Sequence, residues 1–175
     1  MKKCISICIF LVIASVTAKA QRLAFVDAEY VLQHIPEYSS AQKQLNAMSE
    51  KWQSEINDKF AEVDKMQKEY QADQVLLTQD MRKKREADIL QKENEAKNLQ
   101  QVKFGFEGEL YKQKLRLIKP IQERVGKTIE EYANKENIDM ILDKSSVNLL
   151  FGRANFNATN DIITKLGYKP GTFAN

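Results

Sequence analysis

The feature that most constrains this chain is the stretch from Tyr38 to Lys135, which has no Gly before Gly105 and no Pro before Pro120. Lys, Glu, Gln, Ala, Asp and Leu dominate it, and apolar residues return every three or four positions. In its first half they stand at Ala41, Leu45, Met48, Trp52, Ile56, Phe60, Val63, Met66 and Tyr70, 29 residues in eight steps. About 3.6 residues per step is the spacing of one helix face. A stripe this narrow cannot bury itself alone. It demands a second helix, so the stretch reads as a coiled-coil arm. The mixed three-and-four spacing predicts a weakly wound coil rather than a strict heptad zipper.

The partner helix lies within the same stretch. The stripe loses phase at Thr78-Gln79-Asp80, where Thr and Asp are suited to cap a new helix. A first arm over residues 37–77 and a second over 81–137 then form an antiparallel hairpin with its tip near 78–80. The second stripe is looser: Met81, Ile89, Leu99, Val102, Phe106, Leu110, Leu117, Ile121, Val125, Ile129 and Tyr132. Facing positions sum to roughly 155, which sets Trp52 opposite Phe104, Gly105 and Phe106. Charge agrees. Residues 21–80 carry 6 basic and 11 acidic side chains, and residues 81–175 carry 18 and 13. The two arms are therefore electrostatically complementary.

Gly105 and Gly108 stand where the helix should continue, each at a cost of about 0.5–1 kcal/mol relative to Ala. Two readings remain open: small residues that make room for Trp52, or flex points that let the arm bend around a guest. Pro120 also falls mid-helix. It predicts a kink that steers the arm back toward the chain ends.

Met1-Lys2-Lys3 is a basic start, Cys4 to Val16 a short apolar run, and Ala18-Lys19-Ala20 a small-x-small cleavage site. Residues 1–20 read as a secretory signal peptide, cut after Ala20 and too short to span a membrane. Both cysteines, Cys4 and Cys8, lie inside it, so the exported chain is expected to carry no thiol chemistry. Lys2, Lys3 and Lys19 leave with it, so 24 basic residues face 24 acidic ones. That balance gives no argument for nucleic-acid binding.

The remaining pieces, residues 21–36 and 138–168, predict one small β-rich head. Arg22 to Asp27 is a strand, and Ala28 to Ile35 a short helix capped by Asp27 and ended by Pro36. Ile138 to Asp143, the turn Lys144-Ser145-Ser146 and Val147 to Gly152 read as a β-hairpin. Thr159 caps a helix to Leu166, stopped by Gly167, and residues 169–175 read as a flexible tail. Such a head has a marginal core, so pooling strands between copies is part of the expectation. The fold class is α+β and mostly helical, with a long hairpin arm inserted in a small strand-rich head.

Catalytic chemistry is missing. His34 is the one histidine, with no Cys or second His beyond residue 20 to join it at a metal or a nucleophile. There is no glycine-rich phosphate loop. Carboxylates spread along a coiled coil are solvated faces. No enzyme activity, cofactor or metal is expected. What remains is surface. Arg82-Lys83-Lys84-Arg85 sets four positive charges at the arm tip, suited to a weak contact with anionic lipid headgroups or with an acidic stretch of a bound polypeptide. Lys112, Lys114, Arg116, Lys119, Arg124 and Lys127 form a second basic stretch, with Glu123 alone among them.

The cleaved leader, Leu23-Ala24-Phe25-Val26-Asp27 with Val31-Leu32 and Pro36, and the long Lys/Glu/Gln hairpin together resemble the Skp/OmpH family of periplasmic chaperones. Ile118-Lys119-Pro120-Ile121 is similar to the family's Pro-Ile step. Asn137 to Asp143 and Val147 to Phe151 resemble its closing strands. The resemblance covers residues 22–169. It implies a homotrimer in the periplasm, with the heads joined as a small β-barrel and three hairpins projecting around a cavity. It also implies ATP-independent holding of unfolded outer-membrane β-barrel proteins against aggregation. The residues by themselves leave a second reading open: a non-enzymatic structural or adaptor coiled coil of the cell envelope.

Overall fold

The computed structural model describes residues 21–174; the expected signal peptide lies outside the described residues. The chain is mostly helical. In order it forms strand β1 (Leu23–Val26), helix α1 (Ala28–Gln33), helix α2 (Pro36–Asp73) and a 3-10 turn (Gln74–Leu76). Helices α3 (Gln79–Phe104) and α4 (Glu109–Glu136), strand β2 (Met140–Asp143), a 3-10 turn (Ala154–Phe156) and helix α5 (Thr159–Lys165) follow. Two compact units result. One comprises the described residues up to Val31 with Val125–Pro170, the other Leu32–Arg124 with the residues from Gly171 on.

In the first unit β1 and β2 pair in parallel, with Leu23 opposite Met140 and Val26 opposite Asp143. This corrects the β-hairpin expected over residues 138–152. The apolar run Val147 to Gly152 forms no strand. The expected turn at 144–146 forms, but no strand follows it. Asp143 turns the chain sharply: its carboxylate accepts from the Ser145 amide (3.0 Å), the Ser145 hydroxyl (2.7 Å) and the Ser146 hydroxyl (2.6 Å). The Lys144 amide meanwhile donates to the Val26 carbonyl at 2.7 Å, continuing the pairing with β1. The ladder partner of β2 is therefore β1, far away in sequence.

Asp27 caps α1 as expected, accepting from the Tyr30 amide at 2.9 Å. Thr159 does something else. It opens α5 rather than capping it, and its hydroxyl accepts from the Asp27 amide (3.0 Å) while donating to Asn157 (2.6 Å). α5 ends in a Schellman arrangement. The Tyr168 amide reaches the Ile163 carbonyl and the Gly167 amide reaches that of Thr164, with Gly167 at φ +89°. Ala24, Val26, Val31, Val125, Ala158, Ile162 and Ile163 are buried in this unit.

In the second unit α2 and α3 run antiparallel. Pro36 sits at the start of α2, where its missing N–H has no helical partner to lose. Ala41, Leu45, Ile56 and Val63 are buried, and none of the nine stripe residues of α2 is exposed. On α3 the stripe is thinner than expected. Ile89 and Ala96 are buried, whereas Met81 and Val102 are exposed. Ala96, fully buried, belongs to the interface because a short side chain lets two helices approach closely. Pairs across the hairpin are Trp52 with Phe104, Glu62 with Lys92 and Tyr70 with Glu86. Their residue numbers sum to 154 or 156, close to the expected register.

The end of the chain, expected as a flexible tail, makes defined contacts in this unit. The Gly171 amide donates to Nε2 of buried His34 at 3.0 Å, and Phe173 lies 4.8 Å from the His34 ring. The Ala174 amide reaches the Gln33 carbonyl at 3.2 Å.

Candidate functional site

The tip of the hairpin is built by a tight sequence of caps. α2 ends at Asp73, Gln74–Leu76 turns as a 3-10 helix, and Leu77 is extended. Thr78 then caps α3, its hydroxyl accepting from the Met81 amide at 3.4 Å. Arg82 is committed to this turn, because its Nε donates to the Leu77 carbonyl at 3.1 Å. Lys83, Lys84 and Arg85 are exposed. No ion pair of theirs occurs among the described residues. Glu86, the nearest acid in sequence, instead accepts from the Tyr70 hydroxyl, and that bond holds the phenol above its ordinary range. Cations in the first turns of a helix oppose its macrodipole, so this cluster does not serve helix stability. Beside it Val75 and Leu76 are 83% and 82% exposed. Sequence reasoning passed over these two residues, although they fall out of phase with the stripe.

The second feature is a break in the arm. The continuous helix expected over 81–137 is interrupted between Phe104 and Glu109. Gly105 closes α3, its amide on the Gln101 carbonyl at 2.8 Å, and the Gly108 amide reaches the Gly105 carbonyl at 2.9 Å. A Cβ on Gly105 would lie 2.4 Å from the Gln101 oxygen, and one on Gly108 2.9 Å from the Gly105 oxygen. Both glycines are thus required by the backbone itself and not by the bulk of Trp52. Between them Glu107 takes φ +51°, a left-handed conformation that costs a non-glycine residue about 1 kcal/mol. Trp52 meets the break through Phe104, edge to face at 6.3 Å, with the Lys103 ammonium 4.6 Å above its indole.

Pro120 lies inside α4, which runs through it unbroken; the neighbouring Ile118 and Ile121 are buried. Of the second basic stretch, Lys119 pairs with Glu123 at 3.8 Å and Arg124 with Glu37 at 3.1 Å. The Glu37 and Glu62 contacts both join an acid of the first arm to a base of the second, as the charge asymmetry predicts.

In the first unit Leu23, Phe25, Leu142, Leu149, Phe151 and Phe156 line an open apolar groove of about 300 Å³. Gly152 lies against the Phe25 ring so closely that a Cβ would come within 2.6 Å of it. Leu150 and Phe151 of the unpaired segment are exposed.

The sequence profile of the family described as Outer membrane protein (OmpH-like) matches residues 22–166. Among solved structures the chain is similar to a candidate outer membrane chaperone (OmpH-like) from Caulobacter crescentus CB15. The two share 13% identity at a TM-score of 0.64, over 89% of this chain and 90% of that one. At that identity the likeness concerns the fold. No curated protein sequence matches.

Proposed function

This chain belongs to the OmpH-like outer membrane protein family, and we propose that it is a non-enzymatic, ATP-independent chaperone of the periplasm. In this reading it holds unfolded outer-membrane β-barrel proteins between the arms of a homotrimer. The observation that carries the proposal is the antiparallel pair α2–α3. Its apolar contact is one thin stripe, and apolar side chains such as Val102 and Met81 stay exposed beside a charged surface. A wall of this kind makes many weak contacts and no tight one. The fold likeness to a candidate outer membrane chaperone supports the same reading.

Self-association has its own support. A lone two-stranded sheet is marginal in water, and β1–β2 is flanked by an apolar groove and by the unpaired segment Val147 to Gly152. In a trimer these surfaces pool into a common barrel. Residues 21–36 and 138–168 then act as the oligomerisation head, with 37–137 as the arm. Gly105, Gly108 and Pro120 are its flex points in this proposal.

The test is direct. Purified residues 21–175 should suppress aggregation of a denatured outer-membrane β-barrel on dilution, at near-stoichiometric amounts. No suppression at several-fold excess sinks the holding role. Light scattering should return three times the chain mass; a monomer at micromolar concentration removes the trimer.

The tip supports a subordinate role in anionic surface contact, since Val75 and Leu76 protrude beside Arg82, Lys83, Lys84 and Arg85. An apolar pair with adjacent cations matches the headgroup boundary of a bilayer. Replacing the four basic residues by Gln should abolish sedimentation with anionic vesicles, and unchanged sedimentation rejects this role.

A further inference from the structure

The break in the arm also presents an aromatic side chain to solvent. Phe106 sits between the two required glycines and is 98% exposed. Phe104, two residues earlier, lies against Trp52. The backbone between them takes its turn from Gly105, Gly108 and the left-handed Glu107. A regular helix at this point would need none of the three. Strain maintained at an exposed position calls for a functional explanation.

Phe106 is not isolated. With Phe104, Leu110 and Tyr111 it lines an open, mainly apolar hollow of about 370 Å³, whose lining also includes Glu107 and Lys114. Leu115 on the next turn is exposed as well. Lys112, Lys114 and Arg116 are exposed, and no ion pair of theirs occurs among the described residues. Glu107 and Glu109 are the acids nearby, and Glu109 is occupied by the Gln113 amide at 2.9 Å. The hollow therefore combines an aromatic floor with Lys114 and Glu107 in its lining, and Lys112 and Arg116 add exposed positive charge elsewhere on the same helix.

We propose that this break is a gripping site for an extended, unfolded polypeptide segment. An aromatic side chain of the segment stacks in the hollow against Phe106 and Tyr111, and a neighbouring carboxylate meets Lys114. The inference rests on the chaperone reading and names the chemistry that reading leaves open. Aromatic stacking explains the Phe and Tyr, and charge complementarity selects an acidic neighbour over a basic one. The turn places Phe106 at the surface, so no burial has to be undone before it meets a segment.

Trp52, the one tryptophan of the chain, reports on the site through Phe104. The probe is a Trp-free synthetic peptide that alternates Phe and Tyr with Thr and carries Asp at both ends. Titrating it into the full exported chain should shift Trp52 emission. Phe106→Ser should weaken the peptide by about tenfold, the range of an aromatic anchor. The fold is spared because the side chain touches little. A peptide with Lys in place of Asp should also bind more weakly. Leu90→Ser, at another exposed apolar position on α3, should leave the affinity unchanged. Three results overturn the proposal. The first is a Phe106→Ser affinity within about twofold of the parent chain. The second is an equal loss in Leu90→Ser, which marks general stickiness. The third is a changed oligomer mass in Phe106→Ser with unaltered peptide binding, which marks a contact between copies. Aggregation suppression by the unaltered chain separates the two levels. If it persists while Phe106→Ser binds peptide normally, the gripping site fails and the chaperone reading stands.

Discussion

Trp52 meets Phe104 edge to face, their ring centroids 6.3 Å apart and their planes at 83°. This contact ties α2 to the last residue of α3, just before the arm breaks. It also fixes the hairpin register, since a slip of one residue would carry the indole off the Phe104 ring.

Phe104→Ala should therefore destabilise the arm. A half-buried ring with an aromatic partner loses about 1–2 kcal/mol, less than the roughly 3–5 of a fully buried Phe. Denaturant unfolding followed by Trp52 emission checks this. An unmoved midpoint with an unmoved spectrum would show that the contact carries no load.

Gly105→Ala gives a sign test. Helix propensity alone predicts that Ala stabilises by about 0.5–1 kcal/mol. The geometry predicts the reverse, a loss of more than about 1 kcal/mol, because the new Cβ would press on the Gln101 carbonyl oxygen at 2.4 Å. Glu107→Gly should act oppositely and stabilise by about 0.5–1 kcal/mol, since φ +51° suits glycine. Thermal midpoints of the two variants should move in opposite directions. Movement in the same direction rejects the view that the backbone requires this break.

Asp143 makes the first unit acid-sensitive. Burial pushes its carboxyl up. The hydrogen bonds from Ser146, Ser145 and the Ala28 amide outweigh that and hold it below the ordinary carboxylate range. A depressed carboxyl contributes stability that is present above its unfolded value and lost as pH falls through the folded one. Stability should thus decline as pH drops through and below the ordinary Asp range. Asp143→Asn should lower stability at neutral pH by about 1.5–3 kcal/mol, the range for hydrogen bonds to a charged group. It should also flatten part of the acid limb. An unchanged acid limb in the variant assigns that limb elsewhere.

Tyr132 sets the alkaline side. Burial, then its hydrogen bond to Asp161 at 2.9 Å, raises the phenol to about 12. The folded state holds this proton more tightly than the unfolded chain does. Stability present below pH 10 should therefore fall as pH rises from about 10 to 12. Tyr132→Phe should cost about 1 kcal/mol at neutral pH and remove that slope. Denaturant midpoints at pH 8 and pH 11 provide the comparison, and equal slopes in both proteins reject the assignment.

The periodicity from Ala41 to Tyr70 was enough to specify the arm, its inward face and its need for a partner helix. The loss of phase at Thr78 placed the reversal, and the reversal placed Trp52 opposite Phe104. These are legible because helix periodicity and capping are short-range: each depends on residues within a turn or two. Three features were not legible. β2 pairs in parallel with β1, distant in sequence, and not with the segment after its turn, and only the assembled unit shows which strand its backbone meets. Ala96 is as buried as any Ile because two helices approach there, whereas a lone Ala reads as neutral. Gly105 and Gly108 read as room for Trp52 or as flex points within a continuous helix, and the folded backbone uses them to end one helix and start another, with Phe106 exposed between them. Each of these outcomes depends on atoms brought together by the fold, and pattern along the chain carries no record of them.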